Sequence, residues 1–147
     1  MLRITMVMCC FVLLSGCAPT QPPSFISPTP TSAEKAYAPR SGDQALSRSK
    51  FFLDRQNTSI LSMESQPVQF AVDLRGSLPT PCHQARVVVR PPDSDNRIMI
   101  EAYSVVDPNR ICAAMIQAFE GNIPLGSFPK GHYSIWVNGE KIGEIDT

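Results

Sequence analysis

Hydrophobic and polar positions alternate most clearly from Pro67 onward. Val68, Phe70, Val72 and Leu74 interleave with Gln69, Ala71, Asp73 and Arg75, the period of two that turns one face of a strand to a core and the other to water. The row runs into Gly76-Ser77-Leu78-Pro79-Thr80-Pro81, whose glycine and prolines predict the end of the strand. A second strand is predicted from His83 to Arg90, with Val87 and Val89 on one face and Arg86, Val88 and Arg90 on the other. Pro91-Pro92-Asp93-Ser94-Asp95-Asn96 then supplies turn chemistry. A third strand spans Arg97 to Val106, setting Ile98, Ile100 and Ala102 against Met99, Glu101 and Tyr103, and stops at Asp107-Pro108-Asn109.

The next segment fits two templates. Ile111, Ala114, Met115, Ala118 and Phe119 make a helical stripe, while Ile111, Ala113, Met115 and Phe119 alternate. Its place among regularly spaced strands favours a strand over 111–120, with a helix as the alternative. Further on, Tyr133-Ser134-Ile135-Trp136-Val137 and the run from Glu140 to Ile145 flank Asn138-Gly139. Both central residues of a type I′ turn need positive φ, so this dipeptide predicts a terminal hairpin. The pattern as a whole predicts an all-β domain over 49–147, a small antiparallel sandwich of about seven strands after a disordered tether.

The last strands resemble the end of many bacterial immunoglobulin-like domains, through Leu125, Phe128, Gly131, Tyr133, Ile135, Val137 and Gly139. The resemblance implies an immunoglobulin-like sandwich. It departs from antibody-type domains in that Trp136 follows both Cys82 and Cys112, so their usual inter-sheet bridge is not implied.

The N-terminal region has a different plan. Arg3 precedes an apolar run from Ile4 to Leu14, too short for a permanent span, which needs roughly 20 residues, and arranged as a secretory signal. Leu14-Ser15-Gly16-Cys17 resembles the lipobox of bacterial lipoproteins. That resemblance implies cleavage after residue 16, lipid (palmitate among the acyl chains) on Cys17, and attachment to the membrane through it. Localisation is then the extracytoplasmic cell envelope, and Ala18 after the cysteine points to the outer membrane where there is one. Residues 17–48 read as a Pro/Thr/Ser-rich tether, since six of the fourteen prolines lie between Pro19 and Pro39 and such a stretch buries no core. About 32 tether residues give a typical span of roughly 30 Å.

Composition narrows the chemistry. Without Arg3 the chain has twelve basic against thirteen acidic residues, and no basic cluster suggests a nucleic-acid partner. Of five cysteines, Cys9 and Cys10 leave with the signal and Cys17 takes lipid, which leaves Cys82 and Cys112. An even pair in an exported chain is most simply a disulfide, with two free thiols as the alternative; zinc would require more ligands than His83 and His132 add. Asp93-Ser94-Asp95-Asn96 groups oxygen ligands but lacks the glycine and distal glutamate of a calcium loop. Asn57-Thr58-Ser59 spells a glycosylation acceptor only by chance. No nucleophile elbow, phosphate loop or zinc helix is spelled, so no catalytic residue, metal or cofactor is expected. Tyr103, His132, Trp136, Glu140 and Lys141 are candidates for a binding patch, although Trp136 fits a sheet-lining role equally well. The expectation is a membrane-tethered, non-catalytic β-sandwich lipoprotein used for interaction with an unknown protein or envelope partner, or for envelope structure. The alternative is a protease inhibitor or ligand-binding accessory using the loop Leu78-Pro79-Thr80-Pro81.

Overall fold

A computed structural model describes residues 36–147. The signal segment, Cys17 and the tether as far as residue 35 lie outside the described residues. A 3-10 helix (Ser41–Ala45) leads into β1 (Ser47–Lys50), β2 (Phe52–Leu53), β3 (Ser59–Met63), β4 (Gln69–Leu78), β5 (Gln84–Val89), β6 (Arg97–Val106), β7 (Gln117–Gly126), β8 (His132–Val137) and β9 (Glu140–Asp146). The chain is all-β, and the strands form two sheets packed as a sandwich.

In the five-stranded sheet, β6 is the organiser. β5 pairs along one side of it, while β8 and β1 share the other, β8 opposite Arg97–Ile100 and β1 opposite Tyr103–Val106. β9 completes the sheet beyond β8. In the four-stranded sheet, β4 lies between β7 on one side and β3 and β2 on the other. Phe70, Val72 and Leu74 of β4 face inward as predicted and meet Ile98, Ile100 and Ile135 of the other sheet in one buried cluster, whereas Val68, expected on the same face, precedes β4 and is exposed. Every pairing is antiparallel except β6 with β8.

Several expectations are corrected. The described residues form nine strands rather than about seven, because the pattern of residues 47–63 does not announce β1, β2 and β3. These strands are short and mostly exposed, so they carry no alternation to detect. β4 continues through Gly76 to Leu78, since Leu78 is buried in the core instead of starting the loop. The expected strand over 111–120 begins only at Gln117, and residues 111–116 are neither strand nor helix.

The sandwich also uses residues before Ser49. Of those assigned by sequence to the tether, Ser47 and Arg48 belong to β1, and residues 36–46 form a strap along the side of the sandwich where β5 and β7 are the edges. Tyr37 meets Phe119 edge-on at 5.2 Å between ring centroids, and Phe119 meets Phe51 in the same way at 5.3 Å. Asp43 accepts hydrogen bonds from Arg86 through both oxygens, each at 2.8 Å, and another from the backbone N–H of Arg40. Arg86 is only 3% exposed, and its remaining donors reach Ala85 O and Gln84 Oε1. A buried guanidinium with one donor set unpaired is strongly destabilising, so Asp43 is what makes Arg86 tolerable on β5. These donors, Arg86 first, hold the Asp43 carboxyl at about 2, below its ordinary value of 3.8.

The chain changes sheets at Phe51. β1 belongs to one sheet, β2 to the other, and the Phe51 ring between them is buried in the core. The crossing requires Gly76: a Cβ there would lie 2.4 Å from the Phe52 carbonyl oxygen and 2.5 Å from the Phe51 ring. The terminal hairpin forms as predicted, with Asn138 and Gly139 at φ 50° and 86°. Asn138 does more than turn. Its side-chain oxygen accepts from Ala102 N at 2.8 Å and its amide donates to Ala102 O at 2.9 Å. Ala102 lies between the stretch of β6 paired with β8 and the stretch paired with β1, so the side chain fills the rung that neither strand supplies.

Two outcomes follow from this packing. Gly76→Ala should lower stability by about 1–3 kcal/mol, toward the upper end because a backbone oxygen cannot rotate away, as read by denaturant unfolding. Because the Asp43 pKa is depressed on folding, its contribution is fully present above the unfolded value near 3.8 and is lost as pH falls through about 2. The stability gap between the native chain and D43N should therefore be constant above about pH 5 and shrink between there and pH 2; a gap independent of pH in thermal melts refutes the pairing.

Candidate interaction surface

Cys82 and Cys112 form a disulfide with Cα atoms 6.1 Å apart and a sequence separation of 30. Neither lies in a strand. Cys82 lies in the β4–β5 loop and Cys112 in the loop 107–116 between β6 and β7, so the bond ties two connections at one end of the sandwich. The β4–β5 loop is internally braced. Thr80 Oγ1 shares a hydrogen bond of 2.8 Å with His83 Nδ1 and accepts from Cys82 N, and His83 N donates to Thr80 O. Leu78 is buried at its start, so of the four residues considered as an inhibitory loop only Pro81 is exposed.

The loop 107–116 is unlike the rest of the surface. Every residue in it is exposed apart from Cys112. Its own order comes from Asp107, which accepts from Asn109 N through its side chain and from Arg110 N through its carbonyl, and from a bond of Met115 N to Ala113 O. Ile111, which sequence placed on a core-facing stripe, is 99% exposed, with Ile116 at 68% and Met115 at 61%. Phe52 is exposed at the same end of the four-stranded sheet, since it and Ala118 flank Ser77 from opposite sides. The Lys50 ammonium lies 5.6 Å from the centre of the Phe52 ring. Apolar side chains thus gather where the disulfide holds two loops together. Sequence reasoning missed this surface because apolar residues at either period read as core, and nothing local distinguishes a displayed isoleucine from a buried one.

The other candidate residues serve the sandwich itself. Trp136 is half-buried on the outward face of β8, opposite Met99 and Lys141, and donates from Nε1 to Ser134 Oγ at 3.0 Å. Tyr103 lies beneath the Arg48 guanidinium, 3.6 Å from its ring centre. Arg48 and Arg90 both hydrogen-bond to Glu101, and these bonds, Arg48 first, lower its pKa. His132 shares a hydrogen bond with Asp146 at 2.8 Å and lies 3.4 Å from Glu144, and both raise its pKa, Asp146 more. Glu144 is also paired with Lys141, while Glu140 is exposed at the hairpin. His83 and His132 are not brought together with each other or with a nucleophile. The acidic turn Asp93-Ser94-Asp95-Asn96 is occupied by Arg97, which pairs with Asp93 and Asp95 while Asp93 also accepts from the backbone N–H of Asp95 and Arg97. Asn57 is bonded to Asp54 and Thr58 is buried, its hydroxyl donating to Asp54 O. Cys17 lies outside the described residues. Among the described residues no three His, Cys, Asp or Glu side chains gather as a metal cluster, and no helix is long and apolar enough to cross a membrane.

A family model for an ORF11 beta-sandwich domain matches residues 72–147, from within β4 to the end of the chain. No curated protein and no solved structure matches.

The disulfide should stabilise the chain by about 3–4 kcal/mol through loop closure, and Cys82→Ala and Cys112→Ala should cost similar amounts. Because the bond is what fastens the loop 107–116, reduction should raise amide exchange there and at 79–83 well before the central strands β4 and β6 open. Two alkylated thiols in the unreduced chain, read by mass spectrometry, would falsify the pairing.

Proposed function

This chain belongs to the ORF11 beta-sandwich domain family, and from that premise we propose that it is a membrane-tethered, non-catalytic interaction module of the bacterial cell envelope. Lipid on Cys17 carries the sandwich, and the disulfide-held loop meets a protein partner. A sandwich fold carries no activity of its own, so the reading depends on the surface. The observation that supports it is the loop: an isoleucine left in water forgoes roughly 1.5–3 kcal/mol of burial, yet Ile111, Met115 and Ile116 are displayed within six residues, around a covalent fastening. Burial against a partner recovers that free energy, and the fastening lowers the entropy lost on binding. A loop needed only to connect β6 to β7 has no use for these side chains.

Attachment rests on the likeness of Leu14-Ser15-Gly16-Cys17 to a lipobox. With residues 36–48 strapped to the sandwich, the tether that remains is shorter than the sequence boundaries imply. Its reach falls to roughly 25 Å on average and about 55 Å at full extension. The partner is therefore one that comes close to the membrane carrying the lipid.

Two changes separate anchoring from recognition. Cys17→Ser should abolish labelling by a fatty-acid analogue and move the chain out of the membrane fraction, leaving the fold intact. I111S, M115S and I116S together should leave thermal unfolding within about 0.5 kcal/mol of the native chain, as expected at exposed sites, while abolishing cross-links to envelope proteins that the native chain forms in cells. Equal cross-linking by both chains removes the loop as the recognition surface.

A further inference from the structure

A strand at the edge of a sheet exposes a row of unpaired N–H and C=O groups and is a template for another strand unless it is blunted. Three of the long edges here are blunted. β5 carries Arg86, paired to Asp43 of the strap, and Ala38 and Pro39 lie beside it. β7 contains Pro124 and has Tyr37 packed on Phe119. β9 carries Glu140, Lys141, Glu144 and Asp146, and Arg55 donates to the Lys141 carbonyl at 3.1 Å.

β3 has none of these devices. Ser59-Ile60-Leu61-Ser62-Met63 contains no charge and no proline, and among the described residues it pairs only with β4. Leu61 and Met63 are exposed on its outer face, where Leu61 continues a row with Ala71 and Pro124 across the sheet. On its inner face Ile60 packs against Gly143 of β9. Beside that contact an open groove of about 430 Å³ is lined by Ile60, Ser62 and the exposed Val68 together with Glu144 and Asp146 of β9.

We propose that β3 pairs antiparallel with β3 of a second copy of this chain, about a two-fold axis through Leu61, joining two four-stranded sheets into one. The strand is complementary to itself. Centring on Leu61 sets Leu61 against Leu61, Ile60 against Ser62 and Ser59 against Met63 of the other copy, and the nearest charge, Glu64, falls opposite Thr58. No like charges meet across the axis. The same operation on β9, centred on Gly143, would set Glu140 opposite Asp146, a repulsion of the kind that guards an edge. The outer apolar row doubles in length. A closed two-fold contact also ends the assembly at two copies. Chains held by lipid on one surface meet at effective concentrations of the order of millimolar, so a modest affinity suffices. This pairing is independent of the loop 107–116 and stands or falls separately from the partner it binds.

The test is the mass of the full chain in density-matched detergent by sedimentation equilibrium, from about 1 µM to 1 mM, the upper value being the tethered regime. The native chain should reach dimer mass. L61K and L61E, at an exposed position the fold tolerates, should each weaken the dimer about tenfold or more, because like charges then face each other at the axis. An equimolar mixture of L61K with L61E should restore it as a mixed dimer. A native chain monomeric throughout the range overturns the proposal, as does a dimer indifferent to L61K or a mixture that fails to recover.

Discussion

A two-layer sandwich of this size buries its core between sheets only a few strands wide, so the way its edges are closed governs everything else about it. Four solutions are visible in one molecule. The strap from Tyr37 to Ala45 covers the β5 and β7 side with an aromatic chain of contacts and a buried ion pair. At Phe51 the chain passes between sheets, and the ring that makes the crossing fills the core that the crossing would otherwise open. Asn138 closes the gap in the ladder of β6 between β8 and β1. On the remaining side β9 is guarded by charge, and β3 has no strand but β4 beside it among the described residues.

The disulfide has a different task from the inter-sheet bridge familiar in antibody domains. Its cysteines are absent from the hydrophobic cluster and lie in two loops at one end. Cohesion of the sheets comes from side chains such as Val72, Leu74, Ile98, Ile100 and Ile135, all essentially inaccessible to water. The bond fixes a loop that the core does not hold. Display of Ile111, Met115 and Ile116 and covalent restraint of that loop therefore belong to one arrangement, because apolar residues on an unrestrained loop would collapse onto the nearest surface or promote aggregation.

The family match begins inside β4 and leaves the strap and β1–β3 outside it. The matched portion contains the disulfide, the loop 107–116, the parallel pairing of β6 with β8 and the terminal hairpin. The portion outside supplies the closures of two edges and the strand offered to a second copy. The recognition proposed for the loop and the association proposed for β3 thus draw on different parts of the chain.

The core strands were legible in sequence because half-buried strands write their two faces as alternation. Phe70 to Leu74, Arg97 to Val106 and the Asn138-Gly139 hairpin all follow from that period and from the φ that a tight turn demands. The pairing of Cys82 with Cys112 was legible as parity once the N-terminal segment is read as a secretory signal. Tertiary structure decided what has no local signature. Arg86 reads as a surface charge until Asp43 is brought beside it. Gly76 reads as a breaker until Phe51 crosses over it. β1, β2 and β3 are too short and too exposed to alternate, and exist because β6 and β4 have ladders to complete. Ile111 and Met115 read as core because period and hydrophobicity report which residues favour burial, while which of them find a facing layer depends on where the rest of the chain has already packed.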